Sequence, residues 1–351
     1  MLLQQNDSQL ENFKKIINIR SLKNKKILIT GCNGFIASSI IKTLYELVYD
    51  SKYNLNLHGI IKKKSRVTNL ILRELINLDK IKISKIDIHE KIKLNFSPDI
   101  IIHCASITAP SLYKKEPVET LLTNSLGTIN LLNLAKEKQT KQFILISAGE
   151  VYGNFKLIKK KKLSENDFGS LNPSQITSNY GISKKFAENA LICWGKKFKI
   201  KTNSVRLFHT YGPLMKLGDG RIHSDLIKNV IDRNNLLIKG NQNIKRSFCY
   251  ISDVVFGVLI VMLKGRNGES YNIANPNETV KIIQLANLIA KITKQKITIK
   301  KKSTKTRNDF IYPKVSIEKI KKLGWSPKIS LKNGIIKTIN FYTDNKNWRN
   351  N

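Results

Sequence analysis

The chain is poor in acid: 25 Asp and Glu stand against 62 Lys and Arg, a formal net charge of +37. It is also poor in cysteine. The four thiols, Cys32, Cys104, Cys193 and Cys249, form no Cys-x-x-Cys or Cys/His cluster. Such scatter speaks against a disulfide scaffold and a structural zinc site, so no metal is expected, and it suits a reducing compartment. Long apolar runs are missing, with nothing approaching the ~18 uninterrupted apolar residues of a membrane span. The opening stretch, Met1 to Lys15, is polar and charged, unlike a secretory leader. A cytoplasmic protein with no membrane partner is therefore expected. Arg-rich clusters with interleaved aromatics are absent as well, and the densest basic run, Lys159–Lys162, falls in a predicted loop. A basic excess of this size raises nucleic acid as a partner. Here the excess is mostly lysine beside abundant isoleucine and asparagine, three residues that share A/T-rich codons. Coding bias accounts for that pattern, and no nucleic-acid partner is expected.

What is present is apolar periodicity. The 351 residues, 41% of them hydrophobic, suffice for about two domains with sizeable cores. Residues 1–22 read as an extension carrying a helix. Short apolar runs at Lys25–Thr30, Leu55–Ile61, Ile81–Ile86, Asp99–His103 and Phe143–Ser147 predict strands. Amphipathic segments separate them, notably Phe35–Val48 and Val118–Lys138, and Asn179–Phe198 follows the last. Strands that are apolar throughout and alternate with helices predict an α/β fold, a doubly wound (Rossmann) parallel sheet covered on both faces. We place this domain at 23–205. After Arg206 turn residues multiply, and 206–345 reads as a smaller α+β substrate domain, some segments of which are expected to return to the first.

The first strand runs into Thr30-Gly31-Cys32-Asn33-Gly34-Phe35-Ile36-Ala37, which opens a helix. Glycines serve where the backbone turns sharply and a diphosphate approaches it, and the helix start offers unpaired amides. Gly31, Asn33, Gly34, Phe35 and Ile36 are thus expected to hold a nicotinamide dinucleotide. NAD sites usually end the second strand on an acid, but here Ile61 is followed by Lys62-Lys63-Lys64. Asp50 has the right count from Gly31 but precedes that strand. NAD is expected, with NADP open. Asp87 and Ile88, after the third strand, are placed to reach the adenine, though a plain turn aspartate reads equally well.

Tyr180 and Lys184 are four residues apart in a helical pattern, which puts both on one face. A nearby ammonium favours the phenolate and brings a tyrosine pKa down from ~10, so that the phenol can take a proton from a sugar hydroxyl.

At this point the chain resembles the extended branch of the short-chain dehydrogenase/reductase superfamily, the NAD-dependent nucleotide-sugar epimerases, dehydratases and decarboxylases. The resemblance spans Lys25 to about Phe341. It is carried by the glycine turn, His103-Cys104-Ala105-Ser106, Asn124-Ser125-Leu126-Gly127-Thr128 and Glu150-Val151-Tyr152-Gly153. Tyr180 and Lys184, Arg206–Pro213, Arg246–Asp253 and Tyr271–Pro276 complete it. Within the branch, Gly212–Arg221 and Ala109-Pro110 look most like UDP-glucuronate decarboxylases. The resemblance implies cofactor contacts from Ala105, Ser106 and Asn124. It implies substrate contacts from Ala109, His209, Arg221 and Arg246, the last to the nucleotide diphosphate, where a guanidinium binds in bidentate fashion. It also implies a UDP-linked sugar as substrate, a catalytic part for Glu150 and a homodimer built on the two long helices.

Two departures bear on the reaction. The family carries Ser or Thr three residues before the Val of Val-Tyr-Gly, where this chain has Ala148. Either Ser147 takes its place as a catalytic hydroxyl or the site has lost a hydrogen bond, since neighbours on a strand face opposite ways. Sugar dehydratases carry Asp-Glu where this chain has Gly149-Glu150, so the acid for expelling a hydroxyl is missing. Decarboxylation asks less: oxidation at C4 of a uronic acid gives a β-keto acid, which loses CO₂ readily. A 4-epimerase or 4,6-dehydratase is the alternative reaction. A non-catalytic or RNA-binding member of the same fold is the alternative of another class.

Overall fold

The computed structural model describes residues 8–49, 54–153, 160–300 and 314–345. The first half alternates as its apolar pattern predicts: β1 Lys26–Thr30, α2 Phe35–Val48, β2 Asn56–Ile61, α3 Leu70–Asn77, β3 Ile81–Lys85 and β4 Ile100–His103, with helix α1, Ser8–Ile16, ahead of β1. Then come α4 Pro110–Lys115, α5 Pro117–Asn124, α6 Leu126–Glu137, β5 Gln142–Ala148, the two-residue β6 Lys162–Leu163, α7 Asn179–Phe198 and β7 Lys201–Leu207. The segment read as one helix, Val118–Lys138, is thus two. They part at Ser125, whose hydroxyl donates to the Leu121 carbonyl, a local bond that competes with the helical ladder. The lysine run is likewise split: Lys162 opens β6, while Lys159 and also Asp50 lie outside the described residues.

The remainder is β8 Thr210–Tyr211, α8 Ile222–Ile231, β9 Leu236–Lys239, β10 Lys245–Ser247, β11 Cys249–Tyr250, α9 Ile251–Lys264, β12 Glu269–Ile273, β13 Thr279–Lys281, α10 Ile282–Thr293, β14 Ile297–Lys300, β15 Lys314–Val315, α11 Glu318–Lys321 and α12 Leu331–Asp344. The main sheet has seven strands in the order β12-β7-β5-β4-β1-β2-β3, all parallel. It is a doubly wound Rossmann sheet. β12 joins its far edge beside β7, and α9 packs on α2 and β7, so chain beyond 206 returns to the first layer. Phe13 of α1 stacks on Phe256 of α9 with ring centroids 4.5 Å apart, which ties the N-terminal extension down. α8, α10, α12 and the β9–β14 pair form the smaller part.

The strand order reverses between β1 and β4, where an open α/β sheet leaves a crevice at its carboxyl ends. Thr30, the last residue of β1, organises that edge. Its Oγ1 accepts the Cys104 and Ala105 amides at 3.2 and 3.1 Å, leaving its proton for His103 Nδ1 at 2.8 Å. One side chain thereby fixes the chain leaving β4 against the chain leaving β1.

Candidate active site

A cavity of about 1100 Å³ runs along this crevice and into the smaller part of the molecule. The glycine turn forms one end. Gly31 has φ +71°, and a Cβ there would lie 2.8 Å from the Ala105 Cα, so only glycine fits. Gly34 caps α2 without any side-chain hydrogen bond, which leaves the first-turn amides to the cavity. Such a cradle fits a dinucleotide diphosphate. Asn33 secures the turn, its Nδ2 donating to the Arg66 carbonyl at 2.8 Å and its Oδ1 accepting the Thr68 amide at 3.1 Å. Asp87 and Ile88 also line the cavity, and Asp87 accepts the His89 amide at 3.0 Å, so it is a turn aspartate and a wall residue together. Lys62, the lysine the sequence offers to a 2′-phosphate, is bonded to Glu119 at 2.6 Å.

The helical spacing brings Tyr180 and Lys184 to the cavity together, both buried. The Lys184 ammonium donates to the Ile146 carbonyl at 2.9 Å. Burial pulls its pKa down to about 8, against the opposing pull of Cys104, Glu188 and Glu150. Tyr180 behaves otherwise than the spacing suggests. Burial raises its pKa, the Glu150 charge adds to the rise, and the Arg221 charge and the polar Ser106 side chain oppose it. Lys184 is therefore not enough to bring the phenol toward neutrality by itself. Tyr113, from α4, stacks flat on the Tyr180 ring with centroids 5.3 Å apart and fixes its plane.

Glu150 sits in the turn after β5 with its carboxylate facing the cavity. Desolvation by the surrounding walls raises its pKa, and the charges of Arg246, Arg221 and Lys184 work against that. Cavity water reaches the group, so the rise is moderated. Arg221 is held by Asp219, Nε to Oδ2 at 2.8 Å, and Arg246 donates to the Lys245 carbonyl at 3.0 Å. Buried His223 and part-buried His209 stand beside them, each with a buried Nδ1 lacking a partner among the described residues. Desolvation holds both imidazoles neutral, the nearby arginines reinforcing it. Together these groups make a cationic, donor-rich wall suited to a diphosphate.

Ser147 does not replace the missing hydroxyl. It borders the cavity, but its Oγ donates to Glu188 Oε1 at 2.6 Å, away from the Tyr180 side. Strand parity explains the turn: Ala148, its neighbour, faces the cavity instead. Glu188 also takes a bidentate bond from Arg206, Nη2 to Oε2 at 2.7 Å and Nε to Oε1 at 3.0 Å. Asn124 and Ala109 are buried behind the cavity wall and do not line it. Asn124 instead grips Ser106, a wall residue, at 2.7 Å. Tyr113, His223, Lys239 and Thr177 line the cavity without having been read as site residues. None sits in a local motif, and only the fold brings them in.

The model of the NAD dependent epimerase/dehydratase family matches residues 27–274. The chain belongs to that family. NAD is the cofactor of that family, and the glycines and free amides at Gly31–Ile36 have the form a dinucleotide diphosphate fits. Among curated relatives, UDP-glucuronic acid decarboxylase 3 of Arabidopsis thaliana is 32% identical over 313 residues, covering 89% of this chain and 87% of the relative. UDP-glucuronic acid decarboxylase 1 of Xenopus tropicalis is 31% identical over 322 residues, covering 91% and 72%. Among solved structures, the UDP-glucuronic acid 4-epimerase of Bacillus cereus with NAD superposes with a TM-score of 0.72 at 25% identity, covering 92% of this chain and 98% of that one. The UDP-glucose 4-epimerase of Thermotoga maritima with UDP-glucose gives 0.77 at 24% identity, covering 92% and 99%. The chain is accordingly an NAD-dependent enzyme of nucleotide-sugar modification.

Proposed function

We propose that the enzyme decarboxylates UDP-glucuronate. The observation that carries this reading is the single cavity joining the glycine turn, the Tyr180–Lys184 pair and the wall of Arg221, Arg246 and His209. The names of the relatives support it. Bound at the glycine turn, NAD would supply a hydride acceptor and later a donor. Tyr180 takes the C4 hydroxyl proton and later returns it, so one group serves as base and acid. Lys184 stabilises the phenolate and anchors the end of β5. Arg221 and Arg246 hold the diphosphate by charge-assisted bonds, and His209 donates to an oxygen of the same ligand. A C4-oxidised uronic acid is a β-keto acid: CO₂ leaves as the C5–C6 electron pair passes into a C4 enolate, which takes a proton at C5 from water to give the 4-keto sugar.

Gly149 supports decarboxylation over 4,6-dehydration. A Cβ at that position would lie 2.6 Å from the Phe208 ring, so the acid that dehydratases carry there has no room. Incubation of the purified enzyme with NAD and UDP-glucuronate, read by mass spectrometry, is expected to yield UDP-xylose or its 4-keto precursor with release of CO₂. Finding only the C4 epimer would refute the decarboxylase and leave a 4-epimerase.

The same reading includes a cytoplasmic homodimer. No described helix is long and apolar enough to cross a membrane. Val118, Leu121, Leu122 and Leu126 of α5 and α6 are exposed, as are Phe186 and Ile192 of α7, on helices that pack against one another. An apolar face of that kind fits a second copy of the chain. Sedimentation equilibrium is expected to give twice the chain mass, and Leu121→Glu to give the monomer.

A further inference from the structure

One requirement of the cofactor turn is unmet on β2. A carboxylate at the end of the second strand is the usual acceptor for the adenine ribose hydroxyls of NAD, and β2 runs out here into Ile61-Lys62-Lys63-Lys64. A lysine in that place would ordinarily suit the 2′-phosphate of NADP instead. Among the described residues, the carboxylates that line the cavity are Asp87, Glu119 and Glu150. Glu150 lies at the Tyr180 end, where its charge acts on the phenol. Asp87 follows β3, one strand farther from the crossover, and accepts the His89 amide at 3.0 Å. Glu119 remains.

Glu119 comes from the first turn of α5, where the helix dipole favours a carboxylate. Thr123, one helical turn on, also lines the cavity and bonds His89 Nε2 at 3.0 Å. That contact seats one face of α5 against the chain leaving β3. On the same face Glu119 meets the chain leaving β2, where the Lys62 ammonium donates to its Oε1 at 2.6 Å. The carboxylate therefore stands at the ribose end of the crevice, although it lies 57 residues beyond Lys62 in the sequence. The bond to Glu119 raises the Lys62 pKa, partial desolvation opposes the rise, and the charges of Asp87 and Glu116 add to it. Lys63 in turn faces Glu90 at 3.8 Å. A molecule of net charge +37 thus offers paired lysines at this spot.

We propose that Glu119 supplies from α5 the ribose-binding carboxylate that β2 lacks, and that by pairing with Lys62 it selects NAD over NADP. A carboxylate only accepts, and its bond to Lys62 leaves lone pairs for the donors of a ribose diol. A 2′-phosphate has no hydroxyl to donate there and brings a charge of about −1.5 to −2 against the same carboxylate. To reach Lys62 it must take the ammonium out of a bond already made, and the repulsive element does the discriminating. The pair is partly open to solvent, so its own contribution to stability is small and its removal leaves the fold intact.

This inference rests on NAD being the cofactor, not on the identity of the sugar. The test is displacement. Protein loaded with NADH is titrated with NAD and, separately, with NADP, and the loss of bound nicotinamide fluorescence gives two competition constants. Their ratio is independent of the NADH affinity itself. The parent protein is expected to favour NAD by about a hundredfold or more. In Glu119→Gln, NAD is expected to weaken about tenfold through loss of a charge-assisted bond, and NADP to tighten about tenfold as Lys62 is released to the phosphate. Glu119→Ala is expected to move the ratio in the same direction. Adding Lys62→Met to Glu119→Gln is expected to remove the NADP gain and leave NAD where the single variant has it. A ratio that stays at the parent value in both Glu119 variants overturns the proposal. So does a parent protein that binds NADP as tightly as NAD, or an NADP gain that survives Lys62→Met. The expected ratios without turnover of UDP-glucuronate refute the substrate assignment and uphold Glu119.

Discussion

Acid should unfold this enzyme steeply, and well above the pH at which carboxylates titrate. His103 and His223 are buried and His209 is partly so, and desolvation is the first cause of each lowered pKa, to about 3 for His103 and His223. In the unfolded chain each returns to ~6.5. The sign follows from proton counting: below pH 6.5 the unfolded state binds three protons that the folded state refuses, so stability falls as pH falls. Between pH 7.5 and 5.5 each neutral histidine forfeits about 1.4 kcal/mol, hence about 4 kcal/mol for the three. Half-buried His58, also lowered by desolvation and then by Lys82, adds a smaller share of the same sign. Glu150, whose carboxyl is raised, returns part of the loss at the acid end of the window. At roughly 2.1 cal/mol/K per residue a chain this long unfolds with about 0.7 kcal/mol/K of entropy, so Tm is expected to drop by about 5 °C. Calorimetry at the two pH values measures it directly. In His223→Leu the drop should shrink by about a third, whatever the variant does to Tm itself. A pH-dependence unchanged in His223→Leu and in His209→Asn would refute the reasoning.

The remaining expectations concern the site and its support. Lys184 has a folded pKa of about 8 against ~10.5 unfolded, so its burial is least costly at high pH and stability should rise between pH 8 and 10.5. Lys184→Met should abolish turnover, flatten that alkaline rise and lift Tm at pH 7 by up to about 4 °C. Gly149→Asp should lose about 1–3 kcal/mol through its clash with Phe208, read by urea unfolding, and should yield no dehydration product. Arg206→Met strands the Glu188 carboxylate and should cost about 3–5 kcal/mol, most of it recovered in the double variant Arg206→Met/Glu188→Leu.

How far the sequence was legible depended on whether a feature lived on one element. α2 and α7 matched their apolar periods end to end, because each buries one face along its own length. The long helix was misread at Ser125, since a single hydroxyl bonding its own backbone leaves the apolar period untouched. β12 was not assigned to the main sheet, because its place beside β7 is decided by a partner more than sixty residues away. The site divides in the same way. The glycine turn and the Tyr180–Lys184 spacing are local, and they were read directly. The Tyr113 stack, the Glu188–Arg206 pair and the Ser106–Asn124–Ser183 hydrogen bonds join distant segments, and no spacing encodes them.

Parity along β5 is the instructive case, because it is local and yet its outcome is held by residues far along the chain. A one-residue offset puts a side chain on the other face of a strand, so Ser147 could stand in for Ala148 only if the strand end bent. It does not bend: β5 remains regular through Ala148, and Ser147 joins the Glu188–Arg206 pair. The sequence thus shows the absent hydroxyl at Ala148 but not the Glu188–Arg206 pair that holds Ser147, which lies on α7 and β7. The loop after β4 borders the same cavity, and Thr30 fixes it by accepting the Cys104 and Ala105 amides immediately before Ser106. The bonds that shape the crevice beside the glycine turn therefore also shape the cavity wall that Ser106 and Tyr180 share. A change at Thr30 should consequently lower both NAD binding and turnover, two properties that motif reading assigns to separate parts of the chain.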